Sequence, residues 1–205
     1  MMGPKGKLER KLGEVLNLKA ERSTGPKAPL NRRPNRPGQH GNKRSRRQMS
    51  DYGKQLRETL KFKLTYGLND RNLRRLFAMA KKSKGDVAAK LLEFFERRLQ
   101  NVVYRSGIAP SRLSARNYIV QGHIKVNNRK VVSPGYMVKV GDVLSIRKES
   151  QNKAAFKELK DVLTRVEAPS WLVVDPANLT VKVIALPTQE EQKFEINLLV
   201  ESFSK

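Results

Sequence analysis

The sequence predicts an α+β fold in which amphipathic helices are followed by a small, mainly antiparallel sheet. Three observations predict it. Leu and Phe recur at helical spacing between residues 50 and 99. Short apolar runs, punctuated by Gly, Asn and Pro, fill residues 124–146. A stretch rich in Pro, Gly and basic residues, 22–50, contains no acid and precedes both. A period near four argues helix, whereas alternation between turn residues argues strand. Hydrophobic residues make up 38% of the 205, enough for one or two small cores.

Each element has its own signal. Residues 5–20 predict a short helix with Leu8, Leu12, Val15 and Leu16 on one face. The acid-free stretch cannot bury enough apolar area to offset its ordering entropy, so alone it reads as a flexible, extended arm. Ser50 can cap the next helix, because its hydroxyl accepts from the first free helical N–H groups. Leu56, Leu60 and Leu64 carry that helix to Tyr66, and Gly67 stops it. Asn69 or Asp70 caps a second, with Leu73, Leu76, Phe77 and Ala80 inward. Gly85-Asp86 opens a third, with Val87, Leu91, Leu92, Phe95 and Leu99 apolar. Ser111 caps a helix through Gln121 that Gly122 ends. Strands are expected at 124–126, 130–132, 137–140 and 143–146. Residues 151–166 return to helix, with Phe156, Leu159, Leu163 and Val166 aligned. Two more strands, 171–174 and 180–184, and a helix at 196–203 complete the chain.

Charge points to the partner. Lys and Arg number 43 against 19 Asp and Glu, for a net +24. Residues 1–84 carry +18, residues 85–167 carry +8, and residues 168–205 carry −2. A small body holds such charge only against self-repulsion unless a polyanion neutralises it. Nucleic acid supplies closely spaced phosphates, and counterion release drives the binding. A membrane-surface protein would instead show an amphipathic helix with a broad Trp/Phe/Leu face or a lipidation signal, and neither is evident. There is no cysteine, hence no disulfide, thiol nucleophile or thiolate zinc site. No apolar run nears the ~18 residues that span a bilayer, and the first residues lack a signal-peptide core. A soluble, intracellular protein without membrane, metal or cofactor is expected, although an organelle-encoded copy would look the same.

No constellation supports catalysis. A phosphate loop ending in Gly-Lys-Ser/Thr, a Gly-x-Ser-x-Gly elbow and a His-Glu-x-x-His pair are all missing. His40 and His123 have no oriented acid or nucleophile beside them, so each reads as a phosphate or base contact rather than a general base. The candidate RNA-binding residues of the arm are Arg22, Arg32, Arg33, Arg36, Gln39, His40, Lys43, Arg44, Arg46 and Arg47. Tyr52, Lys54, Arg57, Lys61 and Lys63 follow on the first long helix, and Arg71, Arg74 and Arg75 on the next. Arg98, Arg112 and Arg116 come later, the last two sharing one helix face while Leu113, Tyr118 and Ile119 hold that helix to a core. Gln121, His123, Lys125 and Asn127 leave it through a glycine turn. Spacing alone does not separate this segment from an ordinary amphipathic helix with a solvated basic face.

Longer motifs carry a resemblance. Residues 96–105 read Glu-Arg-Arg-Leu-Gln-Asn-Val-Val-Tyr-Arg. Together with 111–127 and with Val138-Lys139-Val140-Gly141-Asp142, they resemble the RNA-binding module named after small-subunit ribosomal protein S-four. Arg36-Pro37-Gly38-Gln39-His40-Gly41 and the helix start Ser50–Glu58 extend the likeness to the bacterial ribosomal protein S-four family, from about Lys7 to Ser204. Trp171-Leu172 and the Ile196-Asn197…Val200-Glu201 ending belong to the same likeness. Many relatives bind zinc through four cysteines in the arm, so this chain resembles the zinc-free branch. Departures stand at Gln100, where the family usually has Asp, at Ser106, where it has Leu, and at Gln189 and Glu190, where it starts a stretch with Arg.

The resemblance implies a non-enzymatic structural constituent of the small ribosomal subunit, cytoplasmic and not homo-oligomeric. It implies early binding to ribosomal RNA at a helix junction of the 5′ domain, nucleating assembly. It further implies a place near the mRNA entry channel and a contact with ribosomal protein S-five that affects translational accuracy. In some bacteria such a protein also represses its own operon. The expected organisation is an N-terminal helix in 1–21, a basic RNA-binding arm in 22–49, and a discontinuous all-helical domain of 50–95 plus 188–205. An inserted α+β RNA-binding domain covers 96–187, with its core module at about 97–147. Three alternatives differ in checkable ways. A module-bearing pseudouridine synthase or tRNA synthetase needs a further catalytic domain, and only ~60 residues follow the module here. A stand-alone RNA-binding protein acting on stalled ribosomes or stress RNA would lack the 36–41 and 50–58 motifs. A DNA-binding regulator would place its charge on one recognition helix rather than across residues 1–84.

Overall fold

The computed structural model describes residues 4–19, 23, 25–42, 49–187 and 195–204. In chain order the helical elements begin with α1 (Lys5–Leu12), α2 (Pro29–Arg32), α3 (Asp51–Tyr66) and α4 (Asp70–Lys82). Next come α5 (Val87–Glu96), α6 (Leu99–Arg105) and α7 (Arg112–Val120). The strands β1 (Ile124–Val126), β2 (Arg129–Lys130) and β3 (Val143–Ile146) follow. Three short helices, α8 (Lys148–Gln151), α9 (Ala154–Lys157) and α10 (Leu159–Arg165), precede β4 (Leu172–Asp175) and β5 (Thr180–Val183). The last helix is α11 (Ile196–Ser204). The chain divides into two units, Met1–Ala88 with Gln192–Lys205, and Ala89–Glu191.

In the first unit α1 is shorter than its apolar spacing suggests. Gly13 adopts a left-handed conformation (φ 67°) and its N–H caps the Glu9 carbonyl, which ends the helix. Leu16 and Leu18 are buried beyond it, while Val15 is exposed. The buried Glu9 carboxylate accepts from the Leu18 N–H at 3.3 Å and turns the chain back. The arm differs from expectation too. Its described part is not simply extended: Ala28 N–H bonds the Gly25 carbonyl at 2.8 Å, and Pro29 then opens α2. Pro29 sits so close to α1 that a Cβ on Gly6 would meet its Cγ at 2.9 Å. Arg10 Nε also donates to the Asn35 carbonyl at 3.0 Å. Anchorage comes from this glycine–proline contact, a backbone acceptor and the buried Ala28, 2% exposed.

Ser50 and Asn69 cap α3 and α4 as expected, accepting from Gly53 and Asn72 N–H, and Gly67 ends α3 in a left-handed conformation. The leucine row of α3 is buried only at its end, however, at Leu64. Gln55, Thr59, Phe62 and Tyr66 point inward, and Leu56 is 57% exposed. The reason lies in α11, which packs along α3. Gln55 Nε2 donates to Glu201 Oε2 at 3.1 Å, and the Thr59 and Ser202 hydroxyls lie 3.2 Å apart. Phe77 of α4 meets Phe203 of α11 at 5.6 Å between ring centres.

In the second unit the expected third helix breaks after Glu96, and Leu99 starts α6 instead. The backbone between them pairs with the 134–138 loop: Leu99 N–H bonds the Tyr136 carbonyl at 2.8 Å, and Val138 N–H bonds Arg97 at 2.9 Å. The same pairing explains why 137–140 is no sheet strand and forms only an isolated bridge, Arg98 to Met137. Residues 151–166 form short helical turns rather than one helix, because Lys153 takes an extended conformation. The sheet runs β2-β1-β3-β5-β4, and every pair is antiparallel, as the fold class requires. Asn127 and Asn128, at φ 49° and 64°, make the turn between β1 and β2, a geometry that asparagine tolerates. One sheet face buries Ile124, Val126, Leu144, Ile146, Val181 and Val183 against α6, α7 and the 156–163 helices. That core fixes where the polar residues of α6 and α7 emerge.

Candidate nucleic-acid interface

The charged centre of the second unit is Arg98. It follows α5 at the backbone bridge to Met137, and the residue is only 9% exposed. Its guanidinium lies beside Gly135, where an added Cβ would stand 3.5 Å from Nη2. Burial, and then the like charge of Arg116, hold Arg98 below the ordinary arginine pKa. Among the described residues no acid pairs with it. Arg98 is thus buried without a counterion among the described residues and within the field of a second arginine, although burying an unpaired charge is costly. Such a guanidinium is complementary to an oxyanion, which arginine binds through its planar fork of donors.

Arg116 is exposed on α7, but Arg112 does not share its freedom. Arg112 Nε donates to Asn101 Oδ1 at 2.7 Å, and its guanidinium carbon lies 4.5 Å from the centre of the Tyr104 ring. The expected outward orientation of both arginines is therefore corrected for Arg112: it packs on α6. Behind it stands Glu96, 4% exposed. Its carboxylate accepts from Asn101 Nδ2 at 2.6 Å and from Arg105 Nε at 3.1 Å. A carboxylate–amide–arginine chain thus connects α5 to α7 through α6.

The residues leaving α7 are also placed differently from the sequence expectation. His123 is buried, not presented to a ligand. Its ring nitrogens lie 2.9 Å from Ser150 Oγ and 3.0 Å from Gln121 Oε1, and Phe156 and Tyr118 meet it edge-on. With Gln121 Oε1 an acceptor, Nε2–H donates there and Nδ1 accepts from Ser150, so the neutral ring is satisfied on both sides. Burial, then Lys153 and Arg147, hold its pKa below the ordinary imidazole value. The sign follows directly. Its contribution to stability is complete above the unfolded value near ~6.5 and is lost as pH falls through the folded value. Thermal melts at about pH 7.5 and about pH 5.5 should show less acid destabilisation in His123→Phe than in the unaltered protein.

Asn127 is occupied as well: Nδ2 donates to Asp142 Oδ1 at 2.8 Å, and Oδ1 accepts from the Val143 N–H at 2.9 Å. Asp142 also accepts from the Lys139 N–H at 2.8 Å, which explains its place at the end of the 138–142 motif. Lys125 lies opposite Lys130 on the open face of the sheet. Lys130 was not singled out by the sequence, yet its aliphatic chain crosses Gly122, where a Cβ would stand 2.2 Å from Lys130 Cε. Two turn-flanking lysines in register were the signal that could have found it.

In the first unit Arg71, Arg74 and Arg75 are exposed on α4, and Arg32, Arg33 and Arg36 are exposed around α2. Other cations hold internal partners. Lys54 pairs with Asp51 at 2.9 Å and Lys63 with Asp70 at 2.7 Å. Surface pairs of this kind contribute roughly 0–1 kcal/mol, so a phosphate can replace the acid. Lys61 is different: its side chain is 12% exposed and reaches Glu14 at 2.6 Å and Glu58 at 3.7 Å. Arg57 bonds the Leu12 carbonyl and lies 3.6 Å from Glu14. Lys61 therefore binds the unit together instead of standing open. Tyr52 is 73% exposed. Gln39 and His40 occupy the centre of a turn closed by Gly41 N–H to Gly38 O at 3.1 Å. A Cβ on Gly41 would fall 1.8 Å from the Arg36 carbonyl oxygen. Gly41→Ala should therefore open this turn, and the amide resonances of residues 36–42 should shift while those of α4 do not. Arg22, Lys43, Arg44, Arg46, Arg47, Gln189 and Glu190 lie outside the described residues.

Comparison with known proteins closes the assignment. The family described as ribosomal protein S4/S9 N-terminal domain matches residues 1–96, and the S4 domain matches residues 97–144. The small ribosomal subunit protein uS4 of Caldicellulosiruptor bescii is 46% identical over 206 residues, covering 100% of this chain and 98% of that protein. The chain belongs to the small ribosomal subunit protein uS4 family. Similar uS4 proteins occur in Chloroflexus aurantiacus, 45% identical over 100% of this chain and 98% of that protein, and in Acetivibrio thermocellus, 42% over 99% and 98%. The uS4 family is structural and non-enzymatic. Among the described residues no helix is long and apolar enough to cross a membrane, and no group of three or more His, Asp or Glu could hold a metal.

Two departures of this uS4-family chain have a structural account. Gln100 is buried, and its amide donates to the Arg112 carbonyl at 3.0 Å, while Oε1 is left without a partner. It thus supports α7 by a neutral bond. Ser106, wholly buried, donates to the Val103 carbonyl at 3.1 Å and so satisfies its hydroxyl within α6.

Proposed function

We propose that this chain is a structural, RNA-binding constituent of the small ribosomal subunit, engaging ribosomal RNA through both units. The observation that carries the reading is the buried Arg98, which no acid pairs with among the described residues and which a phosphate would neutralise. Arg71, Arg74, Arg75, Arg32, Arg33 and Arg36 extend the positive surface in the first unit. Recognition directed mainly at phosphates and shape suits RNA, because an A-form helix hides base edges in a deep groove. Within this reading the protein binds early to the 5′ domain and nucleates assembly. It stands near the mRNA entry channel, and a contact with ribosomal protein S-five influences decoding accuracy. These finer roles rest on the family resemblance and place the protein in the bacterial cytoplasm, in the small subunit.

Two measurements test it. Tagged protein expressed in bacteria should sediment with 30S-sized particles, and recovery only in the free-protein fractions would overturn the reading. Binding to a 5′-domain transcript should weaken roughly 10³–10⁵-fold between about 50 and about 200 mM salt at fixed Mg²⁺, as six to ten phosphate contacts require. A flat dependence would show that charge does not determine binding.

A further inference from the structure

The helical unit contains a groove unused by the contacts described above. It has a volume of about 400 Å³, within the ~300–1,000 Å³ span of small-ligand clefts. Its floor is apolar: Leu12, Pro37, Met49, Leu56 and Leu60. Its rim carries Lys11, Arg36 and Arg57, and no acid lines it among the described residues. Leu56 is 57% exposed here because α11 takes the other side of α3. Gly53 is needed to seat Met49, since a Cβ there would stand 2.9 Å from Met49 Cγ. Tyr52 lies one helical turn before Leu56, on the same face, with its ring 73% exposed.

An apolar floor with a cationic rim calls for a ligand that is flat and apolar at its centre and anionic at its edge. Residues 43–48, Lys-Arg-Ser-Arg-Arg-Gln, have the wrong chemistry to fill it. A nucleotide has the right chemistry, and RNA proteins read unpaired bases by splaying them onto such surfaces. We propose that this groove seats one unpaired base of the bound RNA, with its phosphate on Arg36 and Lys11 and a neighbouring base stacked on Tyr52. Arg57, held by the Leu12 carbonyl and Glu14, forms a fixed wall of the groove. Leucine and methionine contacts with a base are tolerant of its identity, so the seat selects an unpaired nucleotide rather than a sequence. This inference rests on the RNA-binding reading above.

The test uses the full chain and a 5′-domain transcript. Ultraviolet cross-linking of the complex, followed by mass spectrometry, should place nucleotide adducts on the 49–57 peptide. Leu56→Asp should weaken transcript binding about tenfold or more, as loss of one base contact requires, while Leu56→Met stays within about twofold. The melting temperature of the free protein should be unchanged in both variants, because Leu56 is already exposed. Wild-type affinity in Leu56→Asp without adducts on 49–57 overturns the proposal. Normal transcript binding with failure to enter 30S-sized particles also overturns it, and assigns the groove to a neighbouring protein. Wild-type protein that fails to bind the transcript overturns the RNA-binding reading itself, and this seat with it.

Discussion

Arg98→Met should bind the 5′-domain transcript about 100-fold more weakly and yet melt at a higher temperature than the unaltered protein. The two effects have one cause. Arg98 is nearly buried, feels the like charge of Arg116, and lacks an acidic partner among the described residues. In the free protein its charge is therefore a cost, and an apolar side chain of similar length should stabilise the fold by about 1 kcal/mol. In the proposed complex a phosphate would neutralise Arg98, and losing such a buried contact costs about 2.7 kcal/mol, the equivalent of 100-fold. Arg98→Lys keeps the charge but loses the planar fork, so it should fall between the two. Filter binding and thermal denaturation on the same preparations decide the matter. A lower melting temperature with unchanged affinity would make Arg98 a purely structural residue.

Glu96→Ala has the largest expected effect on stability. The Glu96 carboxylate is 4% exposed and accepts from Asn101 and Arg105. Its loss removes the carboxylate that the Arg105 guanidinium donates to and frees the Asn101 amide that orients Arg112. The Arg105 side chain is 23% exposed, so removing its buried acid costs about 2–3 kcal/mol, below the full cost of a wholly buried pair. In a unit of this size that should lower its melting temperature by roughly 10–20 °C. Glu96→Gln restores an acceptor without the charge and should recover part of the loss. Circular dichroism melts check both variants. A shift of only a degree or two in Glu96→Ala would show that the network is solvated rather than buried.

Ser50, Asn69 and Ser111 were legible as caps because capping is local, depending on one hydroxyl or amide and three following residues. The strands 124–126 and 143–146 were legible because alternation and turn residues are local as well. The break before Leu99 was not, because its backbone partners lie at 134–138. The leucine row of α3 marked its buried face at Leu64 but not at Leu56, for a similar reason. Gln55 and Thr59 became interior only because α11, more than a hundred residues later, supplies Glu201 and Ser202. His123 and Asn127 looked available from their polarity alone, yet Ser150 and Asp142 consume their hydrogen-bonding groups.

The sequence by itself determined the charge, and hence the class of partner. Net charge and the acid-free arm are properties of composition, and no packing arrangement can change their sum. It also determined the α+β class, through periodicities that each segment carries alone. Only the tertiary structure decided which cations stay open. Lys61 is drawn inward by Glu14 and Glu58, Arg112 is held by Asn101, and Arg98 is buried with no acid paired to it among the described residues. Whether a cation is paired depends on which acid approaches within a few ångströms, and folding brings together residues whose separation in sequence carries no local signal.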